Sequence, residues 1–221
     1  MSVNILGKEY DINIKTLDLI RLGLKSLPTE FGKLWNLQKL DLSNNSLKSL
    51  PVELSRLCNL KELYLTNNEL QSLPVEFSKL NNLKILYLYW NKLSTLPAEF
   101  DRLENLQTLD LGSNSLTTLP VEFYKLINLQ YLSLVNNRLS SLSDDFCNLI
   151  NLETLKLDEN SYEINNLEPD CPILILSNIK NPITNLPCGL KTIYLSKGID
   201  ISMIKIPFGC EINYDFDKIL K

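Results

Sequence analysis

The chain contains no histidine. That absence removes His-based triads, Cys–His nucleophiles and the commonest metal ligand together. Glycine is scarce, at seven residues in 221. Neither a Gly-x-Gly-x-x-Gly nor a Walker-type string occurs, so phosphate-cradling loops are not expected. No apolar run approaches the ~20 residues of a membrane span. The segment from Met1 to Tyr10 lacks a basic stretch followed by a long apolar one, so no secretion signal is read there and a cytoplasmic chain is expected. A basic excess is missing too: 22 Lys and Arg stand against 26 Asp and Glu, a net charge of −4, which argues against nucleic acid as partner. The five cysteines (Cys58, Cys147, Cys171, Cys188, Cys210) are an odd number without paired spacing. They read as free thiols in a reducing compartment rather than metal ligands, and Cys171 and Cys210, in one column with Leu190, as small core residues. The acids fall in solvated columns, with none marked as desolvated, so acid/base catalysis has no candidate residue. No cofactor, no metal and no enzymatic activity are expected.

What the chain does have is a period. Asn45, Asn68, Asn91, Asn114, Asn137 and Asn160 are spaced 23 residues apart throughout. Leucines keep the same register: Leu37, Leu40, Leu42, Asn45 and Leu47 read L-x-x-L-x-L-x-x-N-x-L, and the string returns around each later asparagine. This motif and period resemble the leucine-rich repeat family. The resemblance implies an α/β solenoid: a horseshoe with a parallel concave β-sheet and short helical or extended convex segments. Such a fold offers an extended binding surface rather than a catalytic pocket.

One repeat can be read residue by residue. In Leu37 to Ser43, apolar and polar side chains alternate, so Leu40 and Leu42 turn inward while Lys39, Asp41 and Ser43 face out. Asn45 follows where the chain leaves the strand; its amide both donates and accepts, and the family resemblance implies a ladder residue bonding its own and the neighbouring coil. The return limb starts at Leu50-Pro51-Val52-Glu53-Leu54, with proline suited to a first helical position and glutamate to a first turn. Each limb glutamate precedes a base by three residues: Glu30–Lys33, Glu53–Arg56, Glu76–Lys79, Glu99–Arg102 and Glu122–Lys125. These pairs are expected to support a helical turn and to form a solvated convex stripe.

The alternation exposes three concave columns. The first is Thr16, Lys39, Glu62, Ile85, Thr108, Tyr131 and Thr154; the second Asp18, Asp41, Tyr64, Tyr87, Asp110, Ser133 and Lys156; the third Ile20, Ser43, Thr66, Tyr89, Gly112, Val135 and Asp158. Asn44, Asn67, Trp90, Ser113, Asn136 and Glu159 lie just beyond. Strands ~4.8 Å apart place Tyr64 beside Tyr87. Large apolar side chains at outward positions gather in the third and fourth coils. Tyr64, Ile85, Tyr87, Tyr89, Trp90 and Tyr131 are therefore the candidate partner-binding residues, since exposed aromatics make interface hot spots. The competing reading is that the tyrosines bury one another, as cross-strand aromatics do.

The regularity stops at both ends. Residues 1–13 read as an N-terminal cap, with alternation around Gly7-Lys8 that suggests a hairpin over the open core. The repeats of 23 residues run over 14–160. Shorter units with proline every ~18–20 residues fill 161–212, and 213–221 closes the end. All of this reads as one domain. The string Leu-Pro-x-Glu-Phe-x-x-Leu-x-Asn-Leu over 14–160 resembles the intracellular Ras-group leucine-rich repeat proteins, and the shorter units resemble repeats of bacterial effectors and of some amoebal and giant-virus proteins. The first resemblance implies a monomeric, non-catalytic scaffold that binds a signalling protein such as a small GTPase; a phosphatase-docking string of the Arg/Lys-Val-x-Phe kind is missing. The second implies, as the alternative, an effector or adaptor binding a host protein.

Overall fold

The computed structural model describes residues 2–139 and, beyond them, 145, 148, 149, 151, 152, 154–156, 173–176, 192–195, 202 and 211–213. Each coil contributes one short strand, because only the x-Leu-x core of the motif alternates. These are β3 (Thr16–Asp18), β4 (Lys39–Asp41), β5 (Glu62–Tyr64), β6 (Ile85–Tyr87), β7 (Thr108–Asp110), β8 (Tyr131–Ser133) and β9 (Thr154–Lys156). They precede β10 (Ile173–Leu176), β11 (Thr192–Leu195) and β12 (Glu211–Asn213). All ten lie side by side, in chain order, in one parallel sheet. The strand starts step by 23 residues from β3 to β9 and by 19 from β9 to β12. Register follows the leucines: Leu17, Leu40, Leu63, Leu86, Leu109 and Leu132 pair in sequence. The pairing continues past each strand, with Leu88 N–H donating to Asp110 O at 2.8 Å and Trp90 N–H to Gly112 O at 3.0 Å.

The core lies between sheet and return limbs. Leu40, Leu63, Leu86, Leu109 and Leu132 are fully buried, as are Leu42, Leu65, Leu88 and Leu111 one step on. Facing them come Phe31, Leu54, Phe77, Phe100 and Phe123 from the limbs, each at most 1% exposed. Every such large side chain contributes about 1.5–3 kcal/mol of hydrophobic stabilisation. The limbs are five-residue 3-10 turns: Thr29–Lys33, Val52–Arg56, Val75–Lys79, Ala98–Arg102 and Val121–Lys125. The sequence expectation is corrected in two details. The proline precedes each turn in an extended conformation, its carbonyl accepting the first i→i+3 bond (Pro74 O from Phe77 N–H, 3.0 Å), so it is the residue before the helix rather than its first. None of the five glutamate–base pairs closes into an ion pair. Lys125 instead reaches Asp101 of the preceding limb at 3.8 Å. At such exposed positions attraction is too weak to fix two long side chains.

At the N-terminus, β1 (Ser2–Ile5) and β2 (Lys8–Asp11) form an antiparallel hairpin. Val3 and Ile5 face inward and are buried in the core. Both residues of its two-residue turn, Leu6 (φ 55) and Gly7 (φ 79), are left-handed, matching the strand twist. Asn160, the residues of the shorter units that carry Cys171, Cys188 and Cys210, and Cys147 lie outside the described residues.

Candidate functional site

The site is framed by a buried lattice of asparagine amides. Asn91 Oδ1 accepts from Leu70 N–H of the preceding coil at 3.0 Å. Its Nδ2 donates to Leu65 O at 2.9 Å and to Leu88 O at 3.1 Å. Asn68, Asn114 and Asn137 repeat the scheme. Asparagine fits because one short side chain both accepts and donates. Asn45 reaches Leu22 N–H and Leu24 N–H of the first coil, where leucine replaces the ladder residue. A second ladder escaped the sequence reading. Asn59, Asn82, Asn105, Asn128 and Asn151 each donate to the carbonyl 24 residues earlier, at 2.7–3.0 Å. Its signal was the asparagine in Leu-x-Asn-Leu. The two ladders bracket β5, β6, β7 and β8 at both ends, and the outward side chains of these strands project from that frame.

On that frame the structure brings the candidate residues together. Tyr64 and Tyr87 pair across β5 and β6, and their rings stack with centroids 5.4 Å apart and planes 7° apart. Tyr89 and Trp90 make a tilted pair at 6.0 Å and 45°. Ile85 sits half-buried between Glu62 and Thr108. Tyr131 lies two strands further, half-buried, with Lys156 Nζ 5.3 Å from its ring centre. Gly112 seats Tyr89: a Cβ there would stand 2.9 Å from Tyr89 Cδ2, 2.7 Å from Val135 Cγ2 and 3.1 Å from Asp110 Oδ1. The missing side chain lets the ring settle onto the neighbouring coil.

A polar frame that composition did not reveal surrounds these rings. Tyr64 Oη donates to Glu62 at 3.0 Å, Lys39 pairs with Glu62 at 3.0 Å, and Lys39 Nζ lies 4.8 Å from the Tyr64 centroid. The Lys39 hydrogen bond holds the Glu62 carboxyl below its ordinary range, whereas burial and Glu62 push the Tyr64 phenol up. Burial also raises Tyr87 and, strongly, Tyr131, with Asp110 adding to both. Asp110 is itself raised by burial, a shift opposed by Gly112 N–H (2.9 Å), the Ser133 hydroxyl and Lys156. The sequence expectation that no acid is desolvated fails here, because Asp110, in register between Tyr87 and Ser133, is partly buried in the sheet.

Trp90 differs from the others. It is 60% exposed, and its backbone is left-handed at φ 60. The equivalent positions, Arg21, Asn44, Asn67, Ser113 and Asn136, share that conformation. Asparagine tolerates it, whereas a bulky side chain there is an outlier. Two side-chain hydrogen bonds link this column, Asn67 to Asn44 at 2.9 Å and Asn136 to Ser113 at 3.2 Å, and Trp90 interrupts the row between them. A cleft of about 530 Å³ at the hairpin end, lined by Ser2, Val3, Asn4, Leu6, Pro28, Glu30 and Lys33, contains none of these residues. Among the described residues, no group of three or more metal-ligating side chains converges, and no helix is long and apolar enough to cross a membrane.

A family profile described as leucine rich repeat matches residues 12–70, 58–116 and 104–162 in tandem. The chain belongs to the leucine-rich repeat family. A solved leucine-rich repeat protein of Leptospira interrogans is 28% identical, with a TM-score of 0.61, over 90% of this chain and 61% of that one. The plant peptide hormone receptor RGFR1, solved in complex with RGF2, is 28% identical, with a TM-score of 0.73, over 91% of this chain and 36% of the receptor. This repeat chain therefore spans less than two thirds of either neighbour. No curated protein matches it.

Proposed function

We propose that this leucine-rich repeat chain is a monomeric, non-catalytic scaffold that binds a partner protein through the centre of its concave face. Tyr64, Ile85, Tyr87, Tyr89, Trp90 and Tyr131 form the contact. Trp90 carries this reading. A large apolar side chain is held out to solvent on strained backbone, at a position where the other coils from β4 to β8 place asparagine or serine and the first and seventh coils the charged Arg21 and Glu159. Strain of this kind costs about 1–3 kcal/mol and persists where function uses it. The self-stacking alternative accounts for Tyr64 and Tyr87, whereas Trp90, though tilted against Tyr89, keeps most of its surface in solvent. Family membership supports a binding role, and RGFR1 is a relative seen with a bound peptide hormone. Exposed Cys58, a free thiol, suits a reducing cytoplasm.

The test is affinity capture from cytoplasm with wild type and a Tyr87→Ala/Trp90→Ala double variant. A partner retained by wild type and lost by the folded double variant supports the proposal. Equal capture refutes it. A Val75→Ser variant controls for the exposed apolar row that Val52, Val75 and Val121 form on the limbs.

A further inference from the structure

Two tyrosine faces on the concave sheet are already covered by the chain's own cations: Lys39 over Tyr64 at 4.8 Å and Lys156 over Tyr131 at 5.3 Å. The rings between them, Tyr87, Tyr89 and Trp90, have no lysine or arginine of the chain over them among the described residues. Such faces carry the negative side of the ring quadrupole and attract cations most strongly where water is excluded. Beside them stands a carboxylate. Asp110 pairs in register with Tyr87, and its Oδ1 converges with the edge of Tyr89 over Gly112. Within the same column Asp18 and Asp41 add negative charge toward the N-terminal end and Lys156 stands at the C-terminal end, so the negative charge in register with the uncovered rings is that of Asp110.

We propose that the partner presents an arginine or lysine side chain here, its stem lying along Tyr87, Tyr89 and Trp90 and its charged head meeting Asp110. This rests on the concave-face reading and adds the chemistry of the occupant. A long basic side chain suits both halves of the site, since it buries an apolar stem while keeping its head on a charge. Arginine fits better than lysine, because its planar guanidinium stacks on rings and bonds a carboxylate in the same pose. Burial holds the Asp110 carboxyl above its ordinary range, with Tyr87 and Tyr131 as neighbouring titratable groups and Lys156 as the cation facing it. An arriving cation relieves that cost.

The test is a two-dimensional NMR titration of the full chain with three blocked pentapeptides, Gly-Leu-Arg-Leu-Gly and its Gln and Glu versions. The two tryptophans report separately: Trp90 within the candidate site, and Trp35, exposed elsewhere on the chain, as internal control. The Arg peptide is expected to shift the Trp90 indole signal and not that of Trp35, with the Gln and Glu versions about tenfold weaker or more. Asp110→Asn, which keeps an oxygen for Gly112 N–H, is expected to bring the Arg peptide down to the Gln level. On wild type, acidification through the Asp110 titration should erode the Arg advantage in the same way. Three peptides equally strong at Trp90, or an Arg preference that survives both Asp110→Asn and acidification, would overturn the cation proposal and leave the concave site standing. No shift at Trp90 with any peptide would overturn both.

Discussion

Asn91 and Trp90 are neighbours in sequence, and the coils from β4 to β8 repeat this pair of positions, yet the two columns behave oppositely. At the first, Asn45, Asn68, Asn91, Asn114 and Asn137 never vary, and three or more hydrogen bonds tie each to two coils. At the second, Asn44, Asn67, Trp90, Ser113 and Asn136 share a left-handed backbone but not a side chain. Uniformity marks the position the fold depends on. Departure from it, toward a large apolar residue on a left-handed backbone, is the observation on which the proposed binding role of Trp90 rests.

Breaking the uniform side should have the largest effects. Leu86→Ala in the fully buried strand column should cost about 2–5 kcal/mol, read by denaturant unfolding, because the flanking coils cannot collapse into the gap. Asn91→Ala orphans Leu70 N–H and leaves the Leu65 and Leu88 carbonyls with one amide donor each, from Asn68 and Asn114; losing a partner for a buried polar group costs about 1–3 kcal/mol per group. An unchanged melting temperature would show that the lattice does not hold that coil. The variable side should respond in the other direction. Trp90→Asn restores the residue the backbone prefers and is expected to raise stability by up to about 1 kcal/mol. A clear loss of stability would mean the indole is a packing element.

The repeat, the inward leucines, the asparagine lattice and the outward columns were legible in the sequence, because a two-residue alternation inside a fixed period assigns every side chain a direction. The placing of Tyr64 against Tyr87 followed from that arithmetic alone. Backbone conformation at Trp90 was not legible, since nothing in Tyr-Trp-Asn states that the middle residue is left-handed; the asparagines at 44, 67 and 136 were the hint. Nor was the desolvation of Asp110, which depends on how the folded coils pack around a carboxyl held in register between Tyr87 and Ser133. The limb ion pairs were over-read, because spacing brings charges near without supplying the energy to hold them.

Asp110 gives a smaller, pH-dependent way to sharpen the contrast. Its folded-state pKa lies above the unfolded value, so the native chain holds the extra proton between the two, and its contribution to stability falls as pH rises through that window. Asp110→Asn is therefore expected to melt slightly higher than wild type at neutral pH, with the gap closing in acid. The smallest effect belongs to the limbs: Lys79→Met, at an exposed position without an ion pair among the described residues, should stay within about 0.5 kcal/mol.

The most direct measurement is titration calorimetry of the captured partner against wild type, Trp90→Asn and Glu76→Ala. Trp90→Asn is predicted to bind at least about thirtyfold more weakly, the cost of losing a central aromatic anchor of ~2 kcal/mol, while folding as well as wild type or better, and Glu76→Ala on the convex limb to bind unchanged. Equal affinity for all three folded proteins would contradict the account and move the site off the centre of the concave face.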